Sequence, residues 1–520
     1  MDSTHAPPIQ RPSPPRFSHA STASAGFLND RRFLKIASIA LVLIGALLRL
    51  RQYLARTSFW GDEAFIVRNI RLHSPMQLLG KLNWDQAAPP LFLWALKGIS
   101  SVAGQGEYAM RSVSLTCSLL GLAVFAVLAR RLLPGPAALF SVCLFCLARR
   151  LVEYAAEVKQ YGGDATVAAL LLLIALGWDG FSAQRRLMWA AAFSAIMVWF
   201  SHPVSIVFGG VSAALSISCL RSGRRATFIA FASNALFAAS FIALYLASIR
   251  WQHTDYLFRY WRSAFPDWRH PSHFPGWLAS RFYNFLQTPY RWAAPVFAAM
   301  IVLAAVRAIR RREIERWSAC AAPIALAVVA ACLRQYPFNG ERLTLFLMPP
   351  LFLLVGAGAA EAWDILPKNL RVAWWAIPAS LFATGLVQGI GRLIHPLYAS
   401  NIRPAVRYVQ AHRLAGDALL LTGERIGDFK QRPFNDRHQE ALCYWPDPPP
   451  PLYTDIASLD EVHERRFWVL MTFDPVEQKK IGAGVDPRAL QPFLADFRAI
   501  AVQKDCFLDE RGGAAYLFER

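Results

Sequence analysis

The sequence is poor in charge, and especially in acidic residues. Only 17% of its 520 residues are charged, 55% are hydrophobic, and 35 Asp and Glu stand against 55 Lys and Arg, for a formal net charge of +20. A soluble domain of this composition would expose too much apolar surface, which excludes an ordinary water-soluble protein. In a membrane protein, the basic excess instead indicates cytoplasmic loops and contact with anionic membrane lipids.

Three other signals are missing. No recognised nucleic-acid-binding module occurs, so we expect no nucleic acid partner. No cleavable signal peptide is evident, and a Pro- and Ser-rich stretch predicts a disordered tail over residues 1–28. Most cysteines lie in apolar runs without metal-ligand spacing, where we expect small hydrophobes. Cys443 and Cys506 lie in the polar C-terminal part and form either a disulfide or two free thiols.

Long apolar runs dominate the first 394 residues. About eleven are long enough, or nearly so, to cross a bilayer, and they begin at Phe33, Arg111, Pro136, Ala165, Leu187, Val204, Ala226, Ala293, Ser318, Leu343 and Val372. The shorter stretch 89–102 opens on two prolines and contains Lys97. If this stretch does not cross, the basic groups between the runs lie on the same face as the N-terminus, as expected for the cytoplasm. We therefore predict that it is an interfacial helix and that the N-terminus is cytoplasmic.

This topology gathers the uncommon polar residues at the outer face. They are Asp62, Glu63, Asp85, residues 153–164, His202, the loop 250–292, the turn 334–342 and the whole C-terminal part. Arg149, Arg150 and the arginines of loop 250–292 depart from the charge rule. They are either exceptions to a statistical rule or ligands for an anion in the outer leaflet, such as a lipid phosphate.

The pattern changes beyond His395. Residues 401–410 are amphipathic, residues 417–422 and 466–473 are typical of short apolar strands, and residues 446–451 form a proline-rich break. We predict an α-helical membrane domain over residues 29–394, with interfacial helices in its first outer loop. A small extracytoplasmic α/β domain over residues 395–520 completes the predicted fold.

An adjacent pair of acids, Asp62 and Glu63, follows the first apolar run in the segment 58–70 (SFWGDEAFIVRNI). Ionised carboxylates near a bilayer are costly and rare, which indicates a functional site. The structural alternative is that Asp62 caps a helix starting at Ala64, while Glu63 favours the same helix dipole.

Residues 153–164 (EYAAEVKQYGGD) form the second polar feature. In helical register, one face carries Glu153, Glu157, Gln160, Tyr161 and Asp164. This stripe either binds a ligand or is the solvated end of a membrane helix. Lys159 points elsewhere if the helix continues, whereas a break at Gly162 and Gly163 would let the backbone approach a ligand.

Three single residues have both a structural and a functional interpretation. Asp85 precedes two prolines and is either a turn former or a substrate ligand. His202 lies in a tight turn between two spans. It either makes a structural hydrogen bond or belongs to a functional site. Arg342 anchors the interface or holds an anion. The aromatic residues of 251–292 form an interfacial belt, unless some stack on sugar or isoprenoid units.

The order of these motifs resembles that of polytopic GT-C-type glycosyltransferases. The segments are FWGDEAF, DQAAPPLFLWALK, EYAMRSVSL, LVEYAAEVKQYGGD and the later ERLTLFLMPPLFLL. They look most like bacterial relatives of the protein O-mannosyltransferases, the lipid A aminoarabinose transferase and the rhizobial lipopolysaccharide galacturonosyltransferases. The resemblance covers about residues 34–360. It implies a catalytic Asp and a following Glu, here Asp62 and Glu63. The Asp-X-Asp metal motif is missing, so no metal or other cofactor is indicated.

The resemblance implies transfer of a sugar from a polyprenyl-phosphate donor to an acceptor hydroxyl of an envelope glycolipid, glycan or protein. We expect an inverting enzyme of the bacterial inner membrane with Asp62 as general base. Glu63 either raises the proton affinity of Asp62 by like-charge repulsion or orients the acceptor. The expected cations for the leaving phosphate are Lys159, Arg342, His202 and the pair Arg149 and Arg150. Glu153 and Glu157 bind sugar hydroxyls or pair with these cations, and Asp85 and Tyr161 complete the predicted substrate-binding residues.

Two alternatives belong to other classes. A transporter or flippase for a lipid-linked or anionic solute would explain the many spans, but the sequence lacks internally repeated halves and mid-depth polar residues. A non-catalytic scaffold that presents the C-terminal domain leaves Asp62 and Glu63 unexplained.

Overall fold

The structure is a computed structural model. It describes residues 30–367, 370, 371, 374, 376–396, 401–422, 438–445, 452–453, 463–472, 494, 497–499, 501–509 and 513–520. The predicted tail 1–28 and the proline-rich break 446–451 lie outside these residues.

Helices make up most of the described chain. In order they are α1 (Arg31–Leu54), α2 (Gly61–Leu72), α3 (Pro90–Ala103), α4 (Glu107–Leu132), α5 (Gly135–Leu147), α6 (Arg149–Glu153), α7 (Tyr161–Leu176), α8 (Ala183–Met197), α9 (Val204–Arg221), α10 (Arg224–Leu244), α11 (Arg250–Gln252), α12 (Asp255–Tyr260), α13 (Phe274–Gln287), α14 (Ala294–Arg310), α15 (Ile314–Cys332), α16 (Met348–Ile365), α17 (Ala376–Ile394), α18 (Arg403–His412) and α19 (His438–Leu442).

The apolar runs fold as helices because a helix satisfies every backbone group within the segment, as a bilayer interior requires. Seven described helices are long and apolar enough to cross a membrane, and an eighth span results if α5 and the bent segment 149–156 count as one. A helix lies at each of the eleven predicted runs, yet α7, α8 and α14 have only 16, 15 and 17 residues. The helical membrane architecture is confirmed, whereas the number eleven stays a prediction.

The helices differ in how deeply they are packed. The span Arg342–Ile365, which contains α16, lies at the centre of the bundle. About 94% of its apolar stretch is buried, compared with 17% for α17. Large apolar side chains such as Phe228 and Val387 point outward from α10 and α17. Exposed apolar side chains on peripheral helices are typical of lipid-facing surfaces.

Helix α3 occupies the stretch predicted to be interfacial. It has 14 residues and begins at Pro90, whose missing N–H is harmless at the first helical position. Lys97 Nζ donates to the carbonyl oxygens of Ile70 (2.7 Å) and His73 (2.8 Å) at the end of α2. These bonds fix α3 against α2, while its depth in the membrane stays a prediction.

Among its described residues, the C-terminal part contains one mixed sheet of five strands in the order β2–β1–β3–β5–β4. The strands are β1 (Ala418–Thr422), β2 (Leu452–Tyr453), β3 (Arg466–Thr472), β4 (Val502–Asp509) and β5 (Gly513–Glu519). β1 pairs in parallel with β2 and β3, and β5 pairs antiparallel with β3 and β4. The predicted strands are found as β1 and β3, and the amphipathic segment 401–410 as α18. The small α/β unit is confirmed, and its exact boundaries stay a prediction.

Cys443 and Cys506 are both free thiols, the first buried and the second exposed. The disulfide between them, which was one of the two alternatives, is therefore not formed in this structure.

Candidate active site

Asp62 and Glu63 lie in the first turn of α2. The helix begins at Gly61, Trp60 occupies the N-cap position, and no side chain caps the helix. The amides of Glu63 and Ala64 both donate to the Trp60 carbonyl, at 2.7 and 3.0 Å. The interpretation of Asp62 as the cap of a helix starting at Ala64 is therefore wrong. Both carboxylates stand at the positive end of the helix dipole, but their side chains have different partners.

Glu63 is completely buried and faces Arg111 of α4. Arg111 Nε donates to Glu63 Oε1 (2.8 Å) and Arg111 Nη2 to Oε2 (2.6 Å), in the two-pronged geometry that suits a carboxylate. The Val158 amide also donates to Oε1, at 2.7 Å. Glu63 thus links α2, α4 and the segment before Lys159. With these partners Glu63 fixes the start of α2, which also carries Asp62.

Asp62 forms an ion pair with Nη1 of Arg342, at the start of the span that contains α16. The two side chains are 21% and 15% exposed, so the pair is accessible from one side. Burial alone would raise the pKa of Asp62, but the charges of Lys159 and Arg342 outweigh it and hold this pKa below its ordinary value. The charges that dominate the pKa of Asp62 are thus those of Lys159 and Arg342, while Glu63 is paired with Arg111; the role predicted for Glu63 stays a prediction. Asp62 is ionised at neutral pH.

Lys159 is the second cation at this carboxylate, and its side chain is almost fully buried. Its Nζ donates to Gln86 Oε1 at 2.9 Å, and burial lowers the pKa of Lys159 while Asp62 opposes that shift. Gln86 follows a tight turn in which Trp84 and Asp85 have φ angles of 57° and 48°, a region that ordinary residues rarely occupy. Asp85 itself is half-exposed in this turn. Gln86, which the sequence analysis did not single out, reaches the cluster instead.

The polar segment 153–164 is not one continuous helix. Helix α6 ends at Glu153, residues 154–156 form a single turn of 3₁₀-helix, Glu157 is extended, and α7 starts at Tyr161. The predicted stripe on one helical face is therefore wrong. The break lies before the glycines, which sit inside α7, where a Cβ on Gly163 would lie 2.9 Å from Phe200 Cε1. These glycines serve helix packing.

The break separates the acids of this segment. Glu153 is buried in a cluster of arginines and accepts from Arg149 (2.7 Å), Arg150 (3.0 Å) and Arg392 (3.3 Å). Of the two roles predicted for Glu153, the structure contains the pairing with cations. Because Arg149 and Arg150 are engaged there, they are not the cations nearest to Asp62.

Glu157 and Tyr161 border the cluster of Asp62, Lys159 and Arg342, whereas His202 lies in the turn between α8 and α9. Tyr161 lies within electrostatic range of Arg342, Asp62 and Glu157. Burial, reinforced by nearby carboxylates, raises the pKa of Glu157 to about 8, and burial lowers the pKa of His202 to about 4. His202 is consequently neutral at pH 7 and supplies no positive charge, contrary to its predicted place among the cations.

The C-terminal part holds the segment that leads into α2. Glu440 of α19 accepts a hydrogen bond from the Gly61 amide (2.5 Å), at the N-terminus of the helix that carries Asp62. The Tyr444 hydroxyl accepts from the Phe59 amide (2.7 Å) and donates to Glu107 (2.9 Å). Sequence analysis missed Glu440, Tyr444 and Glu107, since no local pattern marks a contact between residues almost 400 positions apart.

Further bonds strengthen this connection. Ser58 Oγ donates to Asn401 Oδ1 (2.7 Å), and the Arg403 amide donates to Ser58 Oγ (3.1 Å). The Arg403 guanidinium pairs with Glu107 and donates to the Arg56 carbonyl (2.9 Å). The segment before Asp62 is thus fixed from the side of the sheet domain as well as from the helix bundle.

The loop 250–292 folds beside Arg342. The Trp261 ring lies under the Arg342 guanidinium, with 5.6 Å between the guanidinium carbon and the ring centroid. The same loop encloses an open cavity of about 560 Å³, lined by Arg259, Tyr260, Arg262, Ser263, Phe265, Asp267, His273, Trp277 and Arg281. Three of the loop arginines therefore share one cavity, while an anion bound there stays a prediction.

No cluster of three or more His, Cys, Asp and Glu side chains suited to a metal ion occurs in the part of the chain that the structure describes. The cluster around Asp62 instead combines a carboxylate with two fixed cations. Such an arrangement can hold a phosphate and accept a proton from a neighbouring hydroxyl.

We compared the chain with protein-family models, curated proteins and solved structures. No protein-family model matches the chain, and no curated protein does. Among solved structures, the archaeal oligosaccharyltransferase AglB from Archaeoglobus fulgidus, in complex with an inhibitory peptide and a dolichol-phosphate, aligns over 88% of this chain and 72% of its own. The TM-score of that alignment is 0.50, at 10% identity. The chain has a GT-C fold.

ArnT from Cupriavidus metallidurans aligns with a TM-score of 0.49 in both its apo state and its complex with undecaprenyl phosphate. The identities are 15% and 14%, over 93% and 95% of this chain and 98% of ArnT. The fold that the motif order predicted is the one shared with AglB.

Proposed function

We propose that this GT-C protein is an inverting glycosyltransferase that moves a sugar from a polyprenyl-phosphate donor to an acceptor hydroxyl. The observation that carries the proposal is the ionised Asp62 held between Arg342 and Lys159, at an accessible point of a GT-C fold. AglB, which shares the fold, was solved with dolichol-phosphate, a lipid phosphate of the same chemical class. This supports a lipid-linked donor.

The two cations explain how the donor would be recognised and activated. Displacement at the anomeric carbon leaves negative charge on the lipid phosphate, and fixed positive groups stabilise that change. Arg342 is already in place, since it stacks on Trp261 and is partly exposed. Lys159 is buried and tethered to Gln86, so its ammonium stays fixed when the phosphate arrives.

Donor binding would also prepare Asp62 as a base. The charges of Lys159 and Arg342 lower its pKa, which makes it a weak proton acceptor. The negative charge of a bound phosphate offsets the charges of Arg342 and Lys159 at Asp62, so the proton affinity of Asp62 rises when the donor is bound. The acceptor oxygen then bonds to the anomeric carbon as its proton passes to Asp62, and the bond to the phosphate oxygen breaks with its electron pair. A single displacement of this kind inverts the anomeric centre.

The remaining predicted residues take supporting roles in this proposal. Glu63 positions α2 through Arg111, and Glu157 and Tyr161 contact the sugar. Asp85 acts through its turn, which delivers Gln86 to Lys159. We place the reaction at the outer face of a bacterial inner membrane, with a cytoplasmic N-terminus and a periplasmic sheet domain. The acceptor is an envelope glycolipid, glycan or protein.

The test is transfer by the purified full chain. The protein in lipid nanodiscs is incubated with polyprenyl phosphates that carry radiolabelled sugars, together with an envelope extract as the source of acceptors. We expect label to move from the lipid to an acceptor. A parallel assay in proteoliposomes follows labelled donor across the bilayer, and intact label that crosses without transfer would instead support the flippase.

A further inference from the structure

The cavity enclosed by the loop 250–292 has no role in the proposed transfer reaction. We call this space of about 560 Å³ the loop cavity. Its wall contains three guanidinium groups, those of Arg259, Arg262 and Arg281, and one carboxylate, that of Asp267. Asp267 already pairs with His270 at 3.0 Å, and His270 does not line the cavity. The wall therefore has an excess of positive charge.

The three arginines of the loop cavity lack counter-charges. Within the part of the chain that the structure describes, Arg259, Arg262 and Arg281 form no ion pair. Arginines on the outer face of a membrane protein depart from the usual distribution of positive charge, which favours the cytoplasmic side. Three of them in one cavity wall are explained most simply by an anionic ligand.

Two N–H groups in the wall have no acceptor. Among the described residues, Trp277 Nε1 and Arg281 Nε are buried and make no hydrogen bond. The two residues are four positions apart on α13, so their side chains lie on one face of that helix. Buried donors are nearly always satisfied in folded proteins because an unmade hydrogen bond is costly. Two such donors in one wall indicate a ligand that supplies acceptor atoms.

The chemistry of the wall selects an oxygen anion. A guanidinium presents its N–H groups as a planar fork that matches the oxygens of a phosphate or carboxylate, and the indole N–H of Trp277 is a donor only. A cationic ligand would face three like charges. The loop cavity therefore suits an oxyanion.

Exposed aromatic rings indicate which molecule carries this oxyanion. Six Trp and Tyr side chains of the loop are 44–58% exposed, namely Trp251, Tyr256, Tyr260, Trp268, Tyr283 and Trp292. Exposed Trp and Tyr rings are typical of the headgroup level of a bilayer. The oxyanions fixed at that level are the phosphates of lipids, and anionic lipids attract clusters of basic residues there.

We propose that the loop cavity binds the phosphate of an anionic phospholipid in the leaflet next to the loop. Arg281 and Trp277 donate to the phosphate oxygens, and Arg259 and Arg262 complement the net charge of the headgroup. This phosphate is distinct from that of the donor, which we assign to Arg342 and Lys159.

Two aromatic rings connect the loop cavity to the candidate active site. Tyr260 in the wall meets the Trp261 ring at 84°, with 5.0 Å between the ring centroids, and Trp261 lies under Arg342. A lipid that orders Tyr260 also orders Trp261, so we expect it to increase the affinity for the donor phosphate. This effect rests on the proposed function, whereas the binding of the phospholipid does not.

The experiment is calorimetric titration of the full chain in a non-ionic detergent. The probes are dioctanoyl phosphatidylglycerol, dioctanoyl phosphatidylcholine and inorganic phosphate. We expect the phosphatidylglycerol to bind about tenfold or more tightly than the phosphatidylcholine, whose choline cation would face the arginines. Inorganic phosphate at the same concentration should not displace it. Equal affinity for the two lipids, or displacement by inorganic phosphate, would overturn the proposal.

Variants assign the binding to the loop cavity. Arg281→Gln and, as a second change at an exposed side chain, Arg262→Gln should each weaken binding of the phosphatidylglycerol about tenfold. The matched control is Arg269→Gln, an exposed arginine of the same loop that does not line the cavity, and its affinity should equal that of the wild type. Wild-type affinity in both Arg281→Gln and Arg262→Gln would overturn the proposal.

Measurements of the donor on the same samples separate this proposal from the proposed function. Binding of the phosphatidylglycerol without any sugar transfer contradicts only the transferase. Sugar transfer without preference for the phosphatidylglycerol contradicts only the loop cavity. If the phosphatidylglycerol binds but leaves the affinity for polyprenyl phosphate unchanged, the connection through Tyr260 and Trp261 is wrong.

Discussion

The Tyr444 hydroxyl joins the sheet domain to the segment that carries Asp62, and removing it should loosen that segment. Tyr444→Phe preserves the ring that stacks on Phe59, whose centroid lies 5.9 Å away. It removes the acceptor for the Phe59 amide and the donor to Glu107. Each buried partner left without its bond costs about 1–3 kcal/mol.

The effect of Tyr444→Phe can be measured as the rate of hydrogen exchange at the Phe59 amide. A loss of about 2 kcal/mol in the free energy of local opening speeds amide exchange about 30-fold. Hydrogen–deuterium exchange on the full chain in nanodiscs should show this increase in peptides that cover residues 56–64. Peptides from the centre of α16, which is almost wholly buried, should not change.

Transfer kinetics should change in a specific way in the same variant. Asp62 lies three residues after Phe59, so the transfer rate should fall, whereas donor affinity should hold because Arg342 and Lys159 come from other elements. Tyr408→Phe is the matched control, since its hydroxyl donates to Asp505 (2.8 Å) within the sheet domain. Unchanged exchange over residues 56–64 in Tyr444→Phe, or the same change in Tyr408→Phe, would refute the inference that the sheet domain holds the active segment.

Three further predictions address the charges of the site. Arg342→Ala should weaken binding of polyprenyl phosphate by about tenfold or more, measured by titration in nanodiscs, and unchanged affinity would assign Arg342 a structural role. Glu63→Gln leaves the Arg111 charge buried without its partner and should lower the free energy of unfolding by about 3–5 kcal/mol; a melting temperature equal to that of wild type would contradict this. Because folding lowers the pKa of Asp62, its contribution to stability is complete above the ordinary pKa of about 4 and is lost as pH falls through the lower folded-state value. The difference in melting temperature between wild type and Asp62→Asn should therefore be constant at neutral pH and shrink only below about pH 4, and loss of the difference near pH 6 would refute the sign.

The sequence was informative wherever a feature depends on neighbours along the chain. Apolar runs gave helices at the expected positions, and β1 and β3 formed within the predicted segments 417–422 and 466–473, because the sheet buries their apolar side chains. Asp62 and Glu63 stood out because acids are rare beside a membrane helix. Their positions in the sequence do not reveal their different roles, because these depend on distant partners: Arg111 pairs with Glu63 and Arg342 with Asp62.

The predicted polar stripe failed for a tertiary reason. No proline or glycine occurs between Glu153 and Gln160, so local propensity favours a continuous helix there. The chain leaves the helix because the Val158 amide donates to Glu63, which is 95 positions away. An arginine within the apolar run of α4 was a usable signal for this partner, because a charge in a membrane helix requires a counter-charge.

The contacts from the sheet domain had no sequence signal. Glu440 and Gly61 are 379 positions apart, and neither lies in a distinctive motif. Only the folded chain brings them together.

The central claim is that Asp62 accepts the proton of the acceptor hydroxyl, and Asp62→Asn tests it most directly. The measurement is the rate of sugar transfer at saturating donor in nanodiscs, with donor affinity measured on the same sample to show that the site is folded. We expect a rate about 10²–10⁴ below that of wild type, with donor binding retained. A rate within a few-fold of wild type would contradict it.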